Sequence, residues 1–242
     1  MIKRNYSYLR KKFGEVDEEA RNIFERLSTY SKVDEGELIE ACKLYLALKK
    51  IVSENNALGI TLDCLAEKFE GKYGLIHPCL AYSLLLDEKI SCSCEGDTLT
   101  LITLVLLNKF FEEPCFMTNI LPLSLFSEVS RKLEVPLSKY DKAKTVILGH
   151  CSYLGPVPLS ITSKLVIRKK YDKIHKSGVT VDAEIREGPI TLVKFSPLFR
   201  KIQVIKGFLR KIDRYSSLHA KSIAVVEVED SYRIAEKYFL IM

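Results

Sequence analysis

The feature that most constrains the fold of this chain is a change of hydrophobic period near Pro114. Ahead of it, apolar residues recur every three or four positions, the spacing of one helix face. Beyond it, they fall into short β-branched runs, several alternating every second residue. A pattern of period 3.6 and a pattern of period 2 cannot be satisfied by the same element, so the two halves must be built differently.

In the first half, Asp34-Glu-Gly-Glu37 has the form of a capping box. It opens a helix whose apolar positions are Leu38, Cys42, Tyr45, Leu48 and Val52, and Asn55-Asn56 with Gly59 stops it. A further helix is expected over Asp17–Thr29, with Ala20, Ile23, Phe24 and Leu27 on one side. Gly59–Cys64 reads as a buried strand. Pro78 precedes a helical run from Cys79 to Leu86, Ile90–Cys94 reads as the next strand, and Asp97 can cap the apolar helix from Thr98 to about Phe111. Strand, helix, strand, helix implies a parallel sheet covered by helices.

The second half offers strand-like runs at Thr145–Leu148, Lys164–Arg168, Val179–Ile185, Ile190–Phe195, Ile202–Ile205 and Ile223–Val228, and one helix over Ser231–Tyr238. Turn residues such as Gly178, Glu187-Gly-Pro189 and Gly207 separate them. The expected class is therefore α/β: a layered domain with a parallel sheet over residues 1–115, followed by an antiparallel β-barrel-like domain over residues 116–242.

At 242 residues the chain can bury a sizeable core, and no apolar run approaches the ~20 residues of a membrane span. Met1–Tyr6 has no apolar stretch of the kind a secretory signal needs, and the seven cysteines are odd in number and scattered. The expected setting is the cytoplasm, with free, mostly buried thiols.

Chemistry concentrates in a few residues. Glu95 and Asp97 stand two apart at a strand-to-helix junction, His150 ends an apolar strand, and His219 precedes the last strand. Carboxylate and imidazole together suit Mn²⁺, Fe²⁺ or Zn²⁺. Blander roles compete. An acid at a helix N-terminus interacts well with the helix dipole, and capping is the leading role of Asp97. His150 reads equally as a core histidine, His219 as a half-exposed barrel residue, and His77 and His175 as surface residues. Cys92 and Cys94, with Cys64, Cys79 and Cys151, lack zinc spacing and read as packing.

Several blocks occur in a telling order: Gly59–Cys64, Pro78-Cys-Leu80, Cys94-Glu-Gly-Asp97, Pro114-Cys-Phe-Met117, Gly149-His-Cys151, Glu187-Gly-Pro-Ile-Thr191 and Leu218-His-Ala220. As an ordered set they resemble the C-terminal two-thirds of the L-fucose/L-arabinose isomerase family, from about Arg10 to the end of the chain. The resemblance implies an aldose–ketose isomerase using a divalent cation, usually Mn²⁺, that grips the sugar while a carboxylate takes the proton from C2. It implies Glu95 as metal ligand and candidate base, and His150 and His219 as metal ligands. It implies a sugar substrate and homo-oligomers, with trimers or hexamers expected.

Two departures qualify this. Where the family places a second acidic ligand, this chain has Phe116-Met-Thr-Asn119, so Asn119 can offer only a neutral oxygen. The family's N-terminal α/β domain has no counterpart here, which implies either that a separate chain supplies that wall or that this protein is not a complete isomerase. Two readings follow: a sugar ketol-isomerase or its catalytic half, or a non-catalytic relative that binds a carbohydrate, a sugar phosphate or nucleic acid. From Lys164 to Lys221 there are fifteen Lys or Arg and five Asp or Glu in a chain of net charge +6. The aromatic residues there are too sparse for a stacking platform, so nucleic acid is not the expected partner.

Overall fold

The computed structural model describes residues 11–12, 16–65, 76–123, 139–150, 154–169, 178–196, 200–210 and 223–239, the side chains of the last helix only to Glu236. The chain is of mixed α/β class and divides into two compact units. One comprises Met1–Met117, Pro156–Ser160 and Leu165–Val181; the other comprises Thr118–Gly155, Ile161–Lys164 and Asp182–Met242.

Helix α1 (Asp17–Ser28) buries Ala20 and Leu27. Helix α2 (Glu35–Glu54) starts at the expected cap, with the Glu37 amide donating to Asp34 Oδ1 at 2.9 Å. Nine of its twenty residues are buried, because α1, α3 (Cys79–Asp87) and strand β1 (Gly59–Thr61) all pack on it. Seven of the nine residues of α3 are buried, and Ser83 Oγ accepts the Val157 amide at 3.2 Å. Strand β2 (Ser91–Ser93) pairs parallel with β1, Gly59 opposite Ser91. A Cβ on Gly59 would stand 2.5 Å from the Ser91 carbonyl oxygen and 2.9 Å from Leu101 Cδ1. Only glycine permits that approach of strand, strand and helix α4 (Thr98–Phe110).

Two findings differ from the sequence pattern. The strand expected over Gly59–Cys64 ends at Thr61, because the Leu62 carbonyl accepts from the Gly96 amide (3.0 Å) in the turn after β2. Helix α4, almost wholly apolar, buries only Thr103 and Leu104 of its thirteen residues, and Ile102 and Phe110 are exposed. A pair of three-residue strands about 4.8 Å apart is too narrow to cover a helix of that length.

The second unit is built on an antiparallel sheet curled into half a barrel, in the order β3-β4-β9-β8-β7. These are β3 (Asn119–Pro122), β4 (Thr145–Gly149), β7 (Gly188–Phe195), β8 (Ile202–Arg210) and β9 (Ala224–Val228). Leu123, Ile147 and Val225 form its core, with Leu121, Tyr140 and Ile223 packed against them. All five residues of β4 are buried. Helix α5 (Ser231–Phe239) lies beside β3, and Ser231 Oγ donates to the Lys142 carbonyl. Strands β5 (Thr162–Lys169) and β6 (Val179–Ile185) pair with each other. In β6, Val179 to Ala183 are all buried, so both faces of that stretch are covered. Among the described residues no helix is long and apolar enough to cross a membrane.

Candidate functional site

Strand β2 ends in a tight turn. The Asp97 amide donates to the Cys94 carbonyl at 3.0 Å, and the two residues between them, Glu95 and Gly96, have φ of 61° and 70°. Two positive central φ values are the mark of a type I′ turn, whose usual central residues are Asn-Gly or Gly-Gly. Glycine at 96 suits it. Glutamate at 95 does not: a side chain in the left-handed region costs roughly 1–2 kcal/mol, and Glu lacks the short polar side chain that eases the cost for Asn and Asp. Neighbouring bonds hold the turn in place. The Gly96 amide reaches the Leu62 carbonyl, Ser93 Oγ donates to the Asp97 carbonyl at 2.7 Å, and the Cys94 amide points at Met117 Sδ at 3.4 Å. Glu95 is exposed.

Asp97 caps α4. One carboxylate oxygen accepts the Thr100 amide at 2.9 Å and the other accepts Thr100 Oγ1 at 2.6 Å. Asp63, half-buried, lies against the turn, its Cβ 3.7 Å from where a Cβ on Gly96 would be. Sequence reasoning missed Asp63 as a site residue by assigning it to a strand. The signal was its place after β1, since parallel strands release their chemistry at their carboxyl ends.

Asn119 and His150 belong to the second unit, whereas Glu95 belongs to the first. Asn119 opens β3 opposite Gly149, so it and His150 share one end of the β3–β4 ladder. Asn119 is exposed and His150 is 4% exposed. His219, Cys151 and His175 lie outside the described residues. His77, expected at the surface, is 1% exposed: it lies in a run, 76–83, that is buried throughout where the chain enters α3, and its backbone bridges to Gly178. Among the described residues no three His, Cys, Asp or Glu side chains gather closely enough to hold a metal ion.

The thiols near the turn, Cys64, Cys92 and Cys94, are buried. Tyr82 is fully buried beside Cys92, Cys94 and Cys64; burial holds its hydroxyl well above the usual tyrosine range, and those thiols add to the shift. Burial also pushes up the Cys92 thiol, and raises Cys42 to about 12. Thiols that remain protonated are poor nucleophiles and poor metal ligands. Compared with known proteins, the chain matches no family model and no curated sequence.

Proposed function

We propose that this chain is a sugar ketol-isomerase, or the catalytic half of one. Its finer architecture is a parallel α/β layer followed by a barrel-like antiparallel domain. The single observation that carries the reading is Glu95: an exposed carboxylate at the carboxyl end of parallel strand β2, on a backbone of φ 61° that a turn alone would fill with Asn or Gly. Backbone strain at such a place is characteristic of residues kept for their side chain.

The donor types suit a hard to borderline divalent cation such as Mn²⁺. Glu95 would hold it with His150, His219 and the amide oxygen of Asn119, and Asp97 keeps α4 and hence the turn in place. A cation bound there supplies Lewis acidity toward a sugar's oxygens. In this reading Glu95 would also accept the proton from C2 of the sugar. With Asn119 where a second acid would stand, the chain alone should turn over slowly, a missing base costing on the order of 10²–10⁴ in rate. The reading places the protein in the cytoplasm as a homo-oligomer, a trimer or hexamer.

The test is metal analysis of the purified protein, then an Mn²⁺-dependent assay across aldoses. Glu95→Gln should lose metal and turnover together. Unchanged metal content in Glu95→Gln and in Glu95→Gly would remove the enzyme reading. The second reading, a non-catalytic binder, is favoured by Thr118-Asn119, where the family carries a second acidic ligand and this chain has no carboxylate. Its nucleic-acid form is weakened by local pairing: Lys169 with Glu37 at 2.7 Å, Lys164 with Glu184 at 3.4 Å and Arg210 with Glu227 at 2.6 Å.

A further inference from the structure

Strand β8 has two unequal flanks. On one, β7 pairs with it from Ile202 to Leu209. On the other, β9 pairs only with Gly207–Arg210 and ends at Val228, opposite Gly207, where the chain turns through Glu229 and Asp230 into α5. Residues 202–206 therefore keep one flank with no strand beside it among the described residues. Alternate residues of an antiparallel strand turn both backbone groups to the same flank, so this edge offers N–H and C=O groups to an incoming backbone. A groove of about 580 Å³, the size of a small-ligand site, runs along it, with Glu229, Asp230, Arg233 and Ile234 as its far wall. The two ends of the groove differ in charge. At the end that β9 closes, Lys206 and Arg233 stand against Glu229 and Asp230, and the wall is neutral overall. Asp230 also caps α5 by accepting the Arg233 amide at 2.9 Å. At the open end the chain enters β8 through Arg200 and Lys201, and residues 188–210 contain no acid. Both cations are exposed, and neither side chain is in an ion pair among the described residues.

We propose that the groove binds a short peptide with free termini, added to the sheet as a strand end to end with β9. Its length is about five residues, that of the open edge from Ile202 to Lys206. Charge sets its direction. Running with β9, antiparallel to β8, the peptide's amino end lies at the neutral wall, where Glu229 and Asp230 can face an ammonium, and its carboxylate reaches the end held by Arg200 and Lys201. Running the other way, its ammonium would meet two cations with no acid beside them. The unbalanced charge is thus at the carboxylate's end, and it makes the free carboxyl terminus the recognised group. Val228 stands where the peptide's amino end would continue along β8, so the slot is closed on that side. Ile202 and Val204, 53% and 55% exposed, point to the face shared by the peptide residues opposite them, which favours β-branched side chains there. This proposal stands apart from the isomerase reading and requires no metal.

The probe is the peptide Thr-Thr-Val-Thr-Val with free termini, titrated into the full chain and followed by amide hydrogen exchange. Binding should slow exchange within Ile202–Lys206 by about threefold or more and leave β4 unchanged. Amidating the peptide's carboxyl terminus should weaken binding by about fivefold or more. Arg200→Glu with Lys201→Glu should weaken the free-acid peptide by a similar factor and leave the amidated one unaffected. The double variant should keep the parent melting temperature; if it melts lower, Lys201→Gln replaces it in the same comparison. A Gly-Gly-Gly extension at the peptide's amino end should abolish binding. No slowed exchange at millimolar peptide, or slowed exchange confined to another strand, would overturn the proposal. Equal binding of free acid and amide would overturn it as well, by removing the role of Arg200 and Lys201. Undiminished binding of the extended peptide would overturn the short-peptide occupant and leave the groove to the tail of a larger protein.

Discussion

Two strand ends in this protein face solvent, and they are built to opposite rules. At the end of β2, backbone and side-chain bonds converge on a five-residue stretch: Ser93 and Asp97, Cys94 and Met117, Gly96 and Leu62 all engage. The one group left exposed there is a carboxylate on a strained backbone. At the start of β8 the reverse holds. The ribbon of β7 and β8 runs past the end of β9, one flank has no strand beside it among the described residues, and Ile202 and Val204 are exposed there. The first region is closed around a chemical group, while the second is open along a backbone. Exposure thus has two different meanings: a polar group held out on rigid support suggests chemistry, and an apolar strand edge suggests association.

The comparison breaks most visibly in the core beneath the β2 turn. Tyr82→Ala should destabilise by about 3–5 kcal/mol, through lost burial and an unfilled cavity, whereas Val204→Thr on the ribbon should shift monomer stability by under about 0.5 kcal/mol. Urea melts of the dilute proteins would check both. Next comes close approach. Gly59→Ala would drive a Cβ to 2.5 Å from a backbone oxygen that cannot yield, and should cost about 1–3 kcal/mol. Gly207→Ala, facing Val226 Cγ1 at 2.5 Å and the Glu227 carbonyl at 2.8 Å, should cost a similar amount, showing that the ribbon is rigid where β9 supports it.

Smaller effects sharpen the contrast. Asp97→Ala removes the α4 cap and should lower stability by about 1 kcal/mol. Glu95→Gly should raise stability by up to about 1 kcal/mol by relieving the left-handed backbone, read as a higher midpoint in the same melts. A loss of stability instead would show that Glu95 holds the turn together. The smallest effect lies on the ribbon. The Arg210 guanidinium holds the Glu227 carboxyl below its ordinary value. A depressed folded value means that the pair's contribution is present above about pH 4, the ordinary glutamate range, and is lost as pH falls through the folded value. Solvent screens this exposed pair, so Arg210→Ala should change acid melts only slightly, and only above that pH. Carboxyl NMR titration should show Glu227 returning toward its ordinary value in Arg210→Ala.

Much of the local structure was legible in the sequence because its causes are local. Asp34 and Asp97 cap the helices they precede, and the strands at 145, 179 and 202 lie where β-branched runs stand. Strand β3 was missed because Asn119-Ile-Leu-Pro122 is short and ends in proline; its pairing with β4 makes it a strand. In the candidate site, the Glu95 turn was legible from Cys94-Glu-Gly-Asp97. The positive φ of Glu95 and the approach of Asp63 were not, since both follow from the β1–β2 pairing.

By itself, then, the sequence determined much of the element type and the helix starts, both of which depend on neighbours a few positions away. Only the tertiary structure decided which apolar surfaces are covered. Helix α4 and strand β8 stand on apolar runs, yet Ile102, Phe110, Ile202 and Val204 are exposed. Burial is set by what packs opposite a residue, and here the covering elements, a pair of three-residue strands and a β9 that stops at Val228, are shorter than the surfaces they meet.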